Sequence, residues 1–236
     1  MFRTLSTAAA VTLALIALPP AFAADDKMPR TISLTGHGEV RQAPDIAIVS
    51  IGVLSQAPAA DEALAANTAA MQAAFAALKT AGIEDKDIQT ANFMVQPRYD
   101  YNNEGRAPKL VGYDVSNTVS VTVRKLEALG AMLDRVVAAG SNQINGIQFD
   151  VSSPDAALDA ARKLAVADAR RKAEIYAAAG NVVLGDIIAI SEGVEFRPPE
   201  PVLRAKAMRA EMTADVPIAQ GEQRLGIDVN IVWDIR

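Results

Sequence analysis

Histidine is the side chain most suited to proton transfer near neutral pH, and this 236-residue chain contains one, His37. A Ser-His-Asp triad would have to use it, and the Gly-x-Ser-x-Gly turn that presents a nucleophilic serine is absent. Set between Gly36 and Gly38, His37 reads as a strand or bulge residue rather than a general base. A zinc centre built on histidine needs at least two of them or cysteine support, and the cysteine count is zero. Gly36-x-Gly38 opens like a dinucleotide-binding fingerprint, but Arg41 stands where the third glycine belongs. No Gly-x4-Gly-Lys-Ser/Thr phosphate loop occurs either. Met208 and Met212 could offer thioethers to Cu(I), though two such ligands make a loose site. The 28 Asp and Glu leave a paired-carboxylate hydrolase open by counting alone. They lie in charged runs such as Glu84-Asp85-Lys86-Asp87, or beside Arg and Lys, as solvated faces do. No residue is therefore assigned to catalysis, to a cofactor or to a metal.

The N-terminus carries a different kind of information. Arg3 precedes an apolar run from Ala8 to Leu18, then Pro19-Pro20 and Ala21-Phe22-Ala23. That is the pattern of a secretory signal, with cleavage expected before Ala24. The run is about half the roughly 20 residues a membrane-spanning helix needs. No cysteine follows to take a lipid, and a twin-arginine pair is missing, so the general secretory route is expected. An exported chain without cysteine must be held by its core alone. The net charge of −5 becomes one unit more negative when Arg3 leaves. Such a surface suits a soluble protein and is a poor match for nucleic acid, whose phosphates need clustered Lys and Arg.

The elements that must position anything on this chain follow from its periodicity. Residues 24–30 are polar and read as frayed. From Thr31 a strand is predicted, interrupted at Gly36-His37-Gly38 and turned at Pro44-Asp45, with a second strand over Ile46 to Val53. Residues 59–81 form an alanine-rich amphipathic helix with Leu64, Met71, Phe75 and Leu78 on its core face, ended by Gly82. Ile88 to Tyr99 suits a strand, followed by a polar tip over 100–109. In Tyr113 to Arg124, one face carries Tyr113, Val115, Val119, Val121 and Val123, broken by Asn117; the other is polar. The C-terminal run from Leu225 to Arg236 alternates in the same way. One buried and one wet face is the mark of antiparallel sheets. Further helices are expected over Leu126–Ala139, ended by Gly140, and Pro154–Ala179, ended by Gly180, with Ser153 as N-cap. The fold class is α+β: long antiparallel strands with helices layered on one side, in one domain over residues 24–236.

Two segments invite an assembly reading. The long helix has small residues four apart at Ala157, Ala161, Ala165, Ala169, Ala173 and Ala177. These fit either a helix pressed onto a sheet or close contact between subunits through Ala161, Ala165 and Ala169. Residues 196–217 lose periodicity, with Pro198-Pro199-Glu200-Pro201 and the cations Arg204, Lys206 and Arg209. That loop is either a solvated connection or an assembly arm carrying Arg204 and Arg209.

Several strings, taken in order, resemble the SIMPL-domain family, formerly a domain of unknown function. They are Gly36-His37-Gly38-Glu39-Val40 with Pro44-Asp45, Gly82-Ile83 with Asp87-Ile88-Gln89-Thr90, and Tyr113-Asp114-Val115-Ser116-Asn117. Gly140 with Ile147-Gln148-Phe149, Ala179-Gly180, and Pro217-Ile218 with Gly221-Glu222 complete the set. The similarity runs from about Thr31 to Ile235 and is greatest to the periplasmic branch. It implies an α+β fold, a periplasmic or outer-membrane-associated location, links to oxidative-stress defence, and ring- or channel-like homo-oligomers. It brings no catalytic residue and no cofactor. Gly36, Gly38, Pro44, Asp45, Gly82, Tyr113, Gly140 and Gly180 are its structural motif, the first glycines as bulges and Pro-Asp as a turn.

The expected function is a non-enzymatic periplasmic homo-oligomer contributing to stress tolerance, whose partner is itself, with envelope components as further candidates. The alternative is a periplasmic binding module for a small ligand or envelope partner, with residues 196–217 as a closing arm. A carboxylate-based hydrolase is the third class.

Overall fold

A computed structural model describes residues 30–101, 107–193 and 218–236. The signal segment, the 196–217 loop with Met208 and Met212, and the middle of the 100–109 tip therefore lie outside the described residues. Seven strands and three helices follow in the order β1 (Thr31–Gln42), β2 (Ile46–Ala57), α1 (Ala60–Thr80), β3 (Ile88–Asp100), β4 (Lys109–Val123), α2 (Leu129–Ala138), β5 (Gln143–Asp150), α3 (Asp155–Ala179), β6 (Leu184–Gly193) and β7 (Gln223–Ile235). They form two antiparallel sheets, ordered β1-β7-β6 and β3-β4-β2-β5. The α+β reading with long antiparallel strands holds.

Each sheet has its own core. Under α1 and α2 lie Val49, Ile51, Met71, Leu78, Val119, Val121, Leu129 and Val136; under α3 lie Val229, Ile231 and Trp233 with Ala165, Ala169 and Ala173. The alternation in β4 and β7 buries Val115, Val119, Val121 and Val123, and Val229, Ile231 and Trp233, as their spacing requires. Thr118, on the face expected to be wet, is buried. Strands β1 and β2 are consecutive yet belong to different sheets. The chain turns the corner at Ala43-Pro44-Asp45, where proline supplies a fixed φ and needs no hydrogen-bond partner for its nitrogen.

Three sequence expectations are corrected. β1 is not interrupted: it pairs with β7 over twelve consecutive residues without a register shift, so Gly36 and Gly38 are not bulges. Leu64 is 41% exposed, and the buried face of α1 is Ala63, Asn67, Met71, Ala74 and Leu78. Asn67 goes inside because its amide donates to the carbonyls of Val53 and Val115 at 2.9 and 3.0 Å, joining β2 to β4. Ser153 makes no cap bond; Pro154 occupies the N-cap position of α3. At the other end of α3 the left-handed residue is Asn181 (φ 53°), one past Gly180. Gly82 (φ 86°) and Gly140 (φ 112°) take left-handed conformations directly after α1 and α2, as expected of glycines that end helices.

Candidate functional site

The Gly36-x-Gly38 pair and the alanine stripe prove to be one feature. A β-carbon on Gly36 would overlap the carbonyl oxygen of Ala165, and one on Gly38 that of Ala161. Two missing side chains on β1 and small ones on α3 let helix and strand backbones touch. Ala161, Ala165 and Ala169 are fully buried in this contact. They therefore offer no surface to another subunit, and the assembly reading of the stripe is corrected to close helix–sheet packing.

Because α3 sits so low on β1, its longer side chains reach the far edge of that strand. Asp168 accepts the backbone N–H of His37 at 3.0 Å, and Lys172 Nζ donates to the carbonyl of Thr35 at 2.9 Å. Lys172 also lies 2.7 Å from Asp168, and Arg171 pairs with the same carboxylate. The Lys172 ammonium, then the His37 amide and the Arg171 guanidinium, hold the Asp168 carboxyl well below the usual carboxylate range. On the opposite face of the sheet, His37 Nδ1 lies 2.7 Å from Asp228 Oδ1, directly across the β1–β7 ladder. His37 is about half exposed, and no third His, Cys, Asp or Glu completes a metal-sized cluster among the described residues.

The other motif residues are spread through the fold. Asp45, at the β1–β2 corner, accepts from the Ser152 amide and hydroxyl at 2.7 and 2.6 Å, fastening that corner to the approach to α3. Those two bonds, the hydroxyl first, lower its pKa. Gly82 borders a cavity of about 190 Å³ where the end of α1, the end of β4 and the start of α2 meet. Asp87, nearly buried there, takes a two-pronged bond from Arg124 (2.7 and 3.1 Å), which lowers the carboxyl pKa and raises that of the guanidinium. Tyr113 sits in β4 opposite Ala57 and Pro97, away from this cavity. Arg204 and Arg209 fall outside the described residues. The sequence-chosen residues thus converge only at Gly36, Gly38 and the three alanines. Asp168, Lys172, Asp228, Arg124 and Ser152 were missed. The one signal available was that Asp168 and Lys172 stand four apart beside the alanine stripe.

Among the described residues, each sheet has one strand that no helix covers. In β6, Ile187 and Ile190 stand opposite Trp233 and Ile231, on the face that α3 packs, yet they are 49% and 57% exposed. Val166, one turn beyond Arg162 on the helix side tied to Glu192 of β6, is also exposed. In β3, Phe93 and Val95 stand opposite Asn117 and Val115 on the face beneath α1 and are about half exposed.

The family model of SIMPL, described as a protein of unknown function (DUF541), matches residues 32–233. This chain belongs to the SIMPL family. It is similar to the 26 kDa periplasmic immunogenic protein of Brucella melitensis, with 40% identity over 228 residues covering 92% of this chain and 90% of that one. It is also similar to the uncharacterized protein YggE of Escherichia coli K12, at 33% identity over 207 residues, 86% and 82% of the two chains. YggE of Edwardsiella ictaluri matches at 34% over 175 residues, 73% and 72% of the two chains. The SIMPL match takes in both sheets and all three helices, so the glycine–alanine contact, the Asp45 corner and the Asp87–Arg124 pair all lie within the family's span. Among the described residues of this SIMPL chain, no helix is long and apolar enough to cross a membrane.

Proposed function

We propose that this chain is a non-enzymatic periplasmic protein that works as a ring- or channel-like homo-oligomer and contributes to tolerance of oxidative stress in the envelope. The carrying observation is the pair of apolar strips that α1 and α3 leave bare on β3 and β6. Buried side chains are what such strips ordinarily become, and exposed apolar patches of this kind mark interaction surfaces. The two strips belong to different sheets of one protomer. Contacts between unlike surfaces generate rings when the rotation closes. The periplasmic placement is supported by the signal-like N-terminus and by the printed name of the Brucella relatives. The stress role and any outer-membrane association rest on the family resemblance alone. The perturbed carboxylates do not suit the role of a general acid. Asp45, Asp87, Asp168 and Glu192 are all held ionised by donors, whereas a general acid needs its pKa raised. Light scattering on the chain beginning at Ala24 tests the assembly: a concentration-dependent multimer is expected, and a strict monomer up to high concentration overturns it.

A second reading, a binding module for a small ligand, is favoured by the cavity beside Gly82. With Arg124 taken up by Asp87, Lys125 and Met132 in the lining would suit a small anion with an apolar body. Saturable binding of hexanoate, lost in Lys125→Gln, would support it.

A further inference from the structure

We propose that Asp168 and Lys172 are an edge cap, occupying two outward backbone groups at the middle of β1 so that no second copy of this chain adds a strand there. An edge strand presents a row of unpaired N–H and C=O groups, a template for strand addition unless it is blunted. Among the described residues the two sheets have four edge strands, and three of them are blunted by irregular backbone. β3 contains Pro97 and shifts register at Thr90/Asn92 and Arg98/Tyr99. β6 shifts register twice against β7, between Leu184 and Ile187 and between Ile187 and Ala189. β5 is only eight residues long and is broken opposite Val49/Ile51.

β1 has none of these defences. Its twelve residues from Thr31 to Gln42 run in unbroken register with β7, which makes it the longest regular edge of the molecule. Among the groups pointing away from β7 at its middle, the Thr35 carbonyl and the His37 amide are occupied by Lys172 and Asp168. A cationic donor on the carbonyl and an anionic acceptor on the amide reproduce what one residue of an added strand would supply. The reach depends on the bare backbone at Gly36 and Gly38. With larger residues there α3 would stand off, and neither side chain would pass the strand to its outer edge. The Gly-x-Gly pair is on this account a device for sealing an edge, and what the helix holds between the glycines is the His37 amide, not its ring.

The test uses the full chain from Ala24. In Asp168→Ala/Lys172→Ala, hydrogen exchange should show lost protection of the His37 amide in the dissociated form. Light scattering should show a mass above wild type that grows with concentration, and β1 protection should return as the mass grows. Asp168→Asn keeps an acceptor oxygen for the His37 amide and should match wild type in both readouts. Val136→Ala, which loosens the other core without touching β1, should destabilise without adding mass. The proposal is overturned if the double variant keeps wild-type mass at every concentration, if β1 exchange does not change, or if Val136→Ala associates to the same degree. It does not depend on assembly through the bare strips, since wild-type mass is the baseline for every comparison.

Discussion

At the scale of single residues, glycine appears here for two unrelated reasons, and substitution separates them. At Gly82 the backbone is left-handed and the space around it is empty. Alanine there should lose only the conformational term, roughly 1–2 kcal/mol. At Gly36 a methyl group meets the backbone of Ala165 and Ala169, which cannot rotate away. Overpacking of this kind typically costs about 1–3 kcal/mol, and because the obstacle is main chain, Gly36→Ala should reach the upper end or exceed it. Urea denaturation of both variants checks the order; an equal loss would mean that α3 shifts freely on β1. Ala165→Leu, approaching from the helix side, should show the same order of loss. The Gly-x-Gly pair was visible in the sequence, but its purpose was not. Strand periodicity says nothing of how closely a helix more than a hundred residues away will approach, so the glycines read as bulges. Asn67 was illegible for a related reason: a polar residue on an alanine-rich helix looks solvated until the two carbonyls it serves are placed beside it.

At the scale of elements, three carboxylates fasten one segment of the chain to another. Asp45 holds the β1–β2 corner to Ser152, Asp87 holds the turn before β3 to the end of β4 through Arg124, and Asp168 holds α3 to β1. All three have pKa values lowered by their partners. A carboxyl whose folded pKa lies below its unfolded value of about 3.9 stabilises the fold fully above that value. The contribution disappears as pH falls through the folded pKa. Stability should therefore be flat from neutral pH down to about pH 5 and drop below it. Asp87→Asn should lower the plateau and make the acid-side fall shallower; a fall as steep as wild type would show that Arg124 does not stabilise the Asp87 anion. Strand and helix limits were largely readable because alternation and terminal glycines are local signals. The partners of these carboxylates were not, since Ser152 lies 107 positions from Asp45. Even the expected serine cap at Ser153 gave way to this long-range bond one residue earlier.

At the scale of the whole molecule, consecutive strands look like a hairpin in sequence, and only the structure divides β1 and β2 between two sheets. That division bears on the proposed assembly, because it puts the bare strips of β6 and β3 on different sheets. If strip meets unlike strip, each protomer has a head and a tail, and the contacts form a ring when the rotation closes. If like meets like, each strip makes its own two-fold contact. Charge placed on one strip at a time distinguishes these arrangements. Ile187→Glu/Ile190→Glu spoils the β6 strip, and Phe93→Glu/Val95→Glu spoils the β3 strip, all at exposed positions where the monomer has little to lose. In the head-to-tail arrangement each variant alone is a monomer. Mixing them restores one intact contact, between the β3 strip of the first and the β6 strip of the second, so the mixture stops at a dimer. In the like-to-like arrangement each variant alone already dimerises through its unspoiled strip, and mixing adds nothing. Light scattering of the two variants, separate and combined, therefore reads the handedness of the contact. A mixture that remains monomeric, when wild type assembles, would place the interface elsewhere on the molecule.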